Sequence, residues 1–153
     1  MLQLTSPAFE HGSSIPARYT CDGQNINPPL EIAHVPMNTL SLALIVEDPD
    51  VPKGLRADGM WDHWVIWNIP PSVTIIEENS TPPGVVGTNT NNKRSYGGPC
   101  PPDGEHRYFF KLYALDAIVD LPQTARRTDL LNAMEGYVLE QAQLLGTYNR
   151  SHQ

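Results

Sequence analysis

The chain has 153 residues, which suits one domain with a sizeable core, and we expect a single domain over residues 1–153. Its composition, 40% hydrophobic and 18% charged, is that of a globular protein, and no apolar run reaches the ~18 residues of a membrane span. The net charge of −7 opposes attraction to polyanions, so we expect neither nucleic-acid binding nor stable membrane insertion.

The N-terminus and the cysteines bear on the cellular compartment. Residues 1–5 show neither a basic segment nor an apolar core followed by small residues, so no secretory signal is predicted and a cytoplasmic location is expected. Cys21 and Cys100 are too few for a disulfide framework and are not spaced as metal ligands. Two free thiols are therefore the expectation, with a disulfide as the less favoured alternative, and neither a metal nor a cofactor is expected.

Most of the chain up to residue 115 is predicted to be β structure. Prolines and glycines separate short apolar segments that are rich in Val, Ile, Leu and aromatic residues. The clearest strands are predicted at 40–47, 63–69 and 108–115. Because these segments are apolar along nearly their whole length, both of their faces should be covered, as in the central strands of a sandwich.

A long loop is predicted in the middle of the chain and a helix in its last third. Residues 77–98 are rich in Asn, Thr, Gly, Pro and Ser, and long loops of this kind tend to be functional. Thr128 is the expected N-cap of the helix, Asp129 lies in its first turn and Gly146 ends it, with a division into two helices at Gly136 as the alternative. The helix is predicted from apolar residues at steps of three and four: Leu131, Met134, Val138, Ala142 and Leu145.

Three patches place polar, bend-forming residues at the ends of predicted strands, where binding sites are usually built. The first patch holds Asp48 and Asp50 on a turn that prolines stiffen, Pro52 among them. Taken alone, such a patch is more often a braced turn with solvated carboxylates than a binding site.

The second patch begins at Trp61 and contains His63, at the start of the next predicted strand. Period-two alternation puts His63 on the face opposite Trp64. A lone histidine at a strand start is more often a hydrogen-bonded structural residue than a ligand-binding one. The pattern by itself therefore leaves both roles open.

The third patch spans residues 96–108 and is the most distinctive. Glycines such as Gly98 permit close backbone approach and prolines stiffen the loop, so its N–H groups could bind an anion in a concavity. His106 and Tyr108 lie two residues apart and share a strand face. Arg107 points the other way and is expected to be a structural ion-pair partner.

The segments DPDVP, DHWVIWNIP and GPCPPDGEHRYFFKLYALD together resemble the two signature regions of the phosphatidylethanolamine-binding proteins. That family includes the Raf kinase inhibitor proteins and a prokaryotic YbhB/YbcL-like branch. The resemblance implies a mainly β fold: an antiparallel β-sandwich with a few short flanking helices, the main one near the C-terminus. Further segments resemble the prokaryotic branch and extend the likeness over most of the chain: 19–23, 27–30 and 145–148.

The resemblance also implies an anion pocket, with residues carried over position by position. At Cys100 the animal members have a proline, so the local wall should differ there. The ligand-binding residues would be Asp48, Asp50, His63, Gly98, Pro99, His106 and Tyr108. The pocket wall would comprise Pro52, Trp61 and Cys100.

The implied ligand is a small phosphate-bearing or other anionic molecule, such as a phospholipid headgroup of the phosphoethanolamine kind. Both histidines, the Tyr108 hydroxyl and the amides of Gly97 and Gly98 would be donors. Because Asp48 would repel an anion, we expect it to accept from a histidine and raise its pKa, or to receive the ligand's ammonium group. Affinity should then rise as pH falls through a histidine titration near ~6.5.

Two other functions would use the same residues. A metal-dependent or acid–base hydrolase is the first, but the chain has no H-E-x-x-H or G-x-S-x-G motif and no serine beside the histidines. A non-enzymatic role is therefore favoured. The second is a regulatory module that recognises a phosphoprotein or a protein kinase, as the likeness to kinase inhibitors suggests. No motif encodes the physiological ligand, the biological process or the oligomeric state.

Overall fold

The computed structural model describes residues 1–150, and strands dominate this part of the chain. A 3-10 helix, Ala17–Tyr19, follows the second strand, and one α-helix, α1, spans Arg127–Met134. No helix within the described residues has the length and apolar character of a membrane span. The strands in chain order are β1 Gln3–Thr5, β2 Ser13–Ser14, β3 Leu30–Ala33, β4 Ser41–Asp48, β5 Trp61–Ile69, β6 Ile75–Ile76, β7 Val85–Val86, β8 Glu105–Leu115 and β9 Val138–Asn149.

Two sheets form a sandwich. The larger sheet has the order β2-β9-β8-β4-β5-β7, and all of its pairs are antiparallel except β2 with β9. The smaller sheet has the order β1-β3-β6 and covers one face of the larger one. This confirms the predicted β-sandwich with short flanking helices. The predicted loop over 77–98 is irregular apart from the two residues of β7.

β4 is buried along its whole length because both faces of the larger sheet are covered. Leu42 and Leu44 pack in the core between the sheets, together with Ile32 of the smaller sheet. On the other face, Ile45 packs with Leu130 of α1. The apolar segments predicted as central strands are thus confirmed, as β4, β5 and β8.

The predicted C-terminal helix is wrong in its second half. α1 ends at Met134, and a turn through Gly136, at φ 87°, leads into β9, which pairs with β8 over its whole length. Leu144 and Tyr148 face the core between the sheets, and Gly146 fits closely against Ile15. The apolar steps of three and four were misleading because pairing with the long edge of β8 outweighs local helix propensity.

The start of α1 also differs from expectation. The cap residue is Arg126 rather than Thr128, which lies within the helix. Asp129 is in the first turn, as predicted, and its carboxylate accepts the backbone N–H of Arg126 at 2.9 Å. A carboxylate at this position satisfies one of the amides that a helix N-terminus leaves free.

The expectation of two free thiols is wrong, because Cys21 and Cys100 form a disulfide. It joins the turn after the 3-10 helix to the loop that precedes β8. The two segments are also docked by a backbone hydrogen bond from Cys21 N–H to Pro99 O, at 3.1 Å. Cysteines of cytoplasmic proteins are usually reduced, and no local feature of the sequence indicates that these two segments meet.

Removal of this disulfide should lower the free energy of unfolding by about 4 kcal/mol, because 79 residues separate the cysteines and the cross-link restricts the unfolded chain. Urea denaturation of the double variant Cys21→Ala, Cys100→Ala would measure the loss. Wild type unfolded in the presence of a reductant is the control and should show a similar decrease. A loss below about 1 kcal/mol would contradict the expectation.

Candidate functional site

A register shift in β5 sets the position of His63. Trp64 and Asp62 pair with consecutive residues of β4, which leaves His63 as an extra residue in a β-bulge. The His63 ring packs edge-on against Tyr108, with 5.4 Å between ring centroids. Tyr108 and Trp64 belong to the same core between the sheets, so the predicted separation of His63 and Trp64 onto opposite faces is wrong.

A cavity of about 340 Å³ lies where β4 ends and β5 and β8 begin. It is lined by Asp48, Val51, Leu55, Trp61, His63, Asn91, Gly98, Cys100, Pro101, Pro102 and Tyr108. The residues that the sequence predicted and that reach this lining are Asp48, Trp61, His63, Gly98, Cys100 and Tyr108. Segments distant in the sequence therefore meet at one concave site.

Four predicted residues do not line the cavity: Asp50, Pro52, Pro99 and His106. Asp50 faces Arg107 instead, with its carboxylate oxygens 3.0 Å from Nε and 2.8 Å from Nη2. Arg107 is thus an ion-pair partner, as predicted, and its hydrogen bond holds the pKa of Asp50 below its usual value. Pro52 accepts turn hydrogen bonds through its carbonyl, and the Pro99 carbonyl accepts from Cys21.

His106 stands behind the cavity wall, between two carboxylates. Its Nδ1 donates to Asp48 Oδ2 at 2.7 Å and its Nε2 to Asp103 Oδ1 at 3.0 Å. When Asp48 and Asp103 are both ionised they can only accept, so both ring nitrogens then carry protons and the ring is an imidazolium. Burial opposes this charge, but the two hydrogen bonds and the negative charges of Asp48 and Asp103 together outweigh it and raise the pKa of His106. The expectation that Asp48 accepts from a histidine is confirmed.

Asp48 is buried, and both of its oxygens accept hydrogen bonds. Oδ2 accepts from His106, and Oδ1 accepts the backbone N–H of Asp50 at 2.7 Å. Burial raises the pKa of the Asp48 carboxyl, and the hydrogen bond from His106 counters part of that rise. The charge of Asp48 is therefore neutralised within the protein, and its pairing with an ammonium group is not required.

His63 has the opposite character. Its Nδ1 lies 2.7 Å from the Gly97 carbonyl, which can only accept, so Nδ1 carries the proton. Burial lowers the pKa of His63 to about 4. The hydrogen bond to Gly97 acts in the opposite direction, and the nearby charge of His106 lowers the pKa further. At neutral pH the ring is uncharged and Nε2 has a free lone pair. The expected role of His63 as a donor is therefore wrong at neutral pH, and a titration near ~6.5 does not come from this ring. The predicted rise of affinity as pH falls stays a prediction.

Two buried polar atoms beside the cavity have no hydrogen-bond partner among residues 1–150: His63 Nε2 and the Tyr108 hydroxyl. Burial raises the pKa of Tyr108, and the charge of the nearby Asp48 carboxylate and a hydrogen-bonding interaction with it add to the rise, so the hydroxyl stays protonated. In the described part of the chain, no acceptor lies within normal hydrogen-bond geometry of this hydroxyl, so it can donate to a molecule in the cavity. An unsatisfied buried polar group costs about 1–3 kcal/mol. A molecule in the cavity that bonds both atoms would recover this energy.

The glycine amides do not point into the cavity as the sequence suggested. Gly97 N–H donates to the His63 carbonyl at 3.0 Å, and Gly98 N–H donates to Asn25 Oδ1 at 2.8 Å. A Cβ on Gly98 would collide with the Tyr19 carbonyl and with Asn25. Glycine is needed here for close packing of two loops, so the expected backbone anion cradle is wrong.

Sequence reasoning missed several lining residues and one residue behind the wall. Pro101 and Pro102 lie within the recognised segment, and Asn91 lies within the loop predicted to be functional, so both signals were available. Val51 likewise lies within the recognised DPDVP segment, whereas Leu55 gave no signal, since exposed apolar residues are common. Asp103 was also missed, because its bond to His106 depends on how the loop folds back.

The lining offers little for hydrolysis. It contains no serine or threonine, Cys100 is in a disulfide, and the raised pKa of Tyr108 makes its phenol a poor nucleophile. Within residues 1–150, no three His, Cys, Asp or Glu side chains are grouped so that they could hold a metal ion. The arrangement is suited to binding a small molecule.

A family model described as phosphatidylethanolamine-binding protein matches residues 5–149. The chain belongs to this family. It is 50% identical to a UPF0098 protein of Chlamydia pneumoniae, over 98% of this chain and 100% of that protein.

Two crystal structures agree with this assignment. A phosphatidylethanolamine-binding protein homologue of Chlamydia trachomatis is similar with a TM-score of 0.95 and 45% identity, over 98% of each chain. Escherichia coli YbcL, described as a member of the mammalian family, is similar with a TM-score of 0.87 and 29% identity. That match covers 97% of this chain and 98% of YbcL.

Gly98→Ala should lower the free energy of unfolding by about 1–3 kcal/mol, because the added methyl group meets backbone atoms that cannot move aside. Gly97→Ala is the matched control, since its Cβ would meet only ordinary contacts, the nearest at 3.6 Å. Urea denaturation of both variants would measure the difference. Equal losses would show that the packing at Gly98 is not the constraint inferred here.

His63 should make the protein less stable as pH falls. The pKa of its ring is about 4 when folded and about 6.5 when unfolded, so only the unfolded chain gains a proton between these values. The contribution of neutral His63 to the free energy of unfolding is complete above about pH 6.5, and about 3 kcal/mol of that free energy is lost by about pH 4. Urea denaturation across this range should show a smaller loss for His63→Gln than for wild type.

The control for this measurement is His34→Gln, which changes a histidine at an exposed position. It should lose as much stability over the same pH range as wild type does. A parallel loss in wild type and His63→Gln would contradict the neutral, buried state assigned to His63.

Proposed function

We propose that this protein binds a small phosphate-bearing ligand, of the phosphoethanolamine kind, in the cavity between His63 and Tyr108. The observation that carries the proposal is the pair of unsatisfied buried atoms, an acceptor at His63 Nε2 and a donor at Tyr108 Oη. A phosphate group that retains one proton has an O–H for the first atom and oxygens for the second. A single ligand group would therefore satisfy both.

The charges around the cavity favour a monoanion over a dianion. The imidazolium of His106 is already balanced by Asp48 and by Asp103. The lining contains no lysine or arginine. A dianion would thus meet no free positive charge, whereas a phosphate monoester carries one ionisable proton with a pKa near ~6. The bound state should contain that proton, shared between the ligand and His63 Nε2.

The rest of the lining suits the organic part of a phosphate ester. Val51, Leu55, Trp61, Pro101 and Pro102 supply an apolar wall around the polar end of the cavity. A volume of about 340 Å³ lies within the range of small-molecule sites. The family description, which names phosphatidylethanolamine, adds support for a headgroup-like ligand. A phosphate held between His63 and Tyr108 would leave its alkyl portion against this wall.

Calorimetry with O-phosphorylethanolamine from about pH 5.5 to about pH 8 would test the proposal. Above the ligand's pKa near ~6, affinity should fall by about tenfold per pH unit, because each binding event takes up one proton. Below this pKa affinity should level off. Titrations in buffers of different ionisation enthalpy should show uptake of about one proton at about pH 7.5.

Sulfate and ethanolamine serve as comparison ligands in this experiment. Sulfate stays fully ionised, so its affinity should keep rising as pH falls toward the His63 pKa of about 4. Ethanolamine alone should bind far more weakly than its phosphate ester. No detectable binding of O-phosphorylethanolamine, or binding without proton uptake at about pH 7.5, would contradict the proposal.

Tyr108→Phe should weaken O-phosphorylethanolamine binding by about tenfold or more, because a hydrogen bond to a charged group is lost while the ring remains. Tyr113→Phe is the matched control: Tyr113 is a buried tyrosine of the same strand, in the core on the other face of the larger sheet. Calorimetry should find wild-type affinity for that control. Equal affinity in all three proteins would exclude the Tyr108 hydroxyl from the site.

A further inference from the structure

We propose that the Cys21–Cys100 disulfide is a reducible link that controls ligand binding, because its cleavage places a Cys100 thiolate in the wall of the cavity. This inference rests on the proposed function, since it concerns the same cavity. Cys100 lines the cavity and is exposed, whereas Cys21 is half-buried. A small dithiol in solution can therefore reach the bond.

The charges around the two sulfur atoms differ. Arg150 Nη1 lies 3.5 Å from Cys100 Sγ, and Arg150 Nη2 pairs with Asp22 Oδ1 at 3.0 Å. Asp22 directly follows Cys21 in the chain. A guanidinium stabilises a neighbouring thiolate and a carboxylate opposes one. After reduction, the thiolate should therefore form preferentially at Cys100.

The chemistry is thiol–disulfide exchange with a dithiol reductant. A reductant thiolate attacks one sulfur of the protein disulfide and forms a mixed disulfide, while the other protein sulfur leaves as a thiolate. The second reductant thiol then displaces the protein sulfur. Two electrons pass to the protein, the reductant becomes a cyclic disulfide, and the protein gains two thiols. The Cys100 thiol then releases its proton to solvent.

The wall should keep its position when the disulfide is cleaved, because other contacts hold it. Cys21 N–H donates to Pro99 O at 3.1 Å, and Gly98 N–H donates to Asn25 Oδ1 at 2.8 Å. These bonds dock the same two loops and do not involve sulfur. The main local effect of reduction is thus one added negative charge in the lining.

That charge opposes an anionic ligand. The lining contains no lysine or arginine to offset it, and Arg150, which faces Cys100, shares its single charge with the Asp22 carboxylate and so cancels only part of the thiolate's charge. A negative charge within several ångströms of a bound phosphate in a partly dry site should reduce affinity by about tenfold. Reduction would thus switch the cavity from a higher to a lower affinity for phosphate esters.

The test compares O-phosphorylethanolamine binding by oxidised wild type, Cys21→Ser and Cys100→Ser, by calorimetry at one neutral pH. Both variants lose the disulfide and its stabilisation, but only Cys21→Ser retains a sulfur in the cavity wall. We expect Cys21→Ser to bind about tenfold more weakly than Cys100→Ser, and dithiol-reduced wild type to resemble Cys21→Ser. Equal affinities in the two variants would overturn the inference.

The rate of alkylation by iodoacetamide gives a readout without ligand. The free thiol of Cys21→Ser should react faster than that of Cys100→Ser, and Arg150→Gln in the Cys21→Ser background should slow it. Equal alkylation rates in the two single variants would show that the thiolate does not form preferentially at Cys100. That result would contradict the inference. If oxidised wild type binds no O-phosphorylethanolamine, the proposed function fails; binding that ignores the disulfide state defeats this inference alone.

Discussion

Two hydrogen bonds between His63 and Gly97 connect β5 to the loop that closes the cavity. Gly97 N–H donates to the His63 carbonyl, and His63 Nδ1 donates to the Gly97 carbonyl. The first bond uses backbone at the residue that the β-bulge adds to β5. The second fixes the tautomer, and with it the lone pair at Nε2. The loop position, the ring orientation and the chemistry of the cavity therefore depend on the same two residues.

The two histidines of the site show how surroundings set charge. His106 lies between the carboxylates of Asp48 and Asp103 and is charged, whereas His63 faces a carbonyl in a buried setting and is neutral. The charge of the first also disfavours charge on the second. One histidine thus balances Asp48 from behind the wall, and the other provides an acceptor in the cavity.

Features that depend on strand pattern could be predicted from the sequence, and features that depend on tertiary pairing could not. The central strands could be predicted because they are apolar on both faces, and the ends of these strands indicated where Asp48, His63 and Tyr108 would lie. The bulge at His63 and the strand β9 arise from pairing with neighbouring strands, which local spacing does not report. The hydrogen-bond partners of the loop amides could not be predicted either, because the partner of Gly98 N–H is Asn25, which is distant in the sequence.

The place of β9 in the larger sheet has a consequence for biosynthesis. β9 lies between β8, which carries His106 and Tyr108, and β2 near the start of the chain, so it joins early and late residues. On the ribosome, a nascent chain that lacks β9 would leave the long edge of β8 open and the cavity without its supporting strand. The cavity can therefore take its final form only after residue 149 has left the exit tunnel.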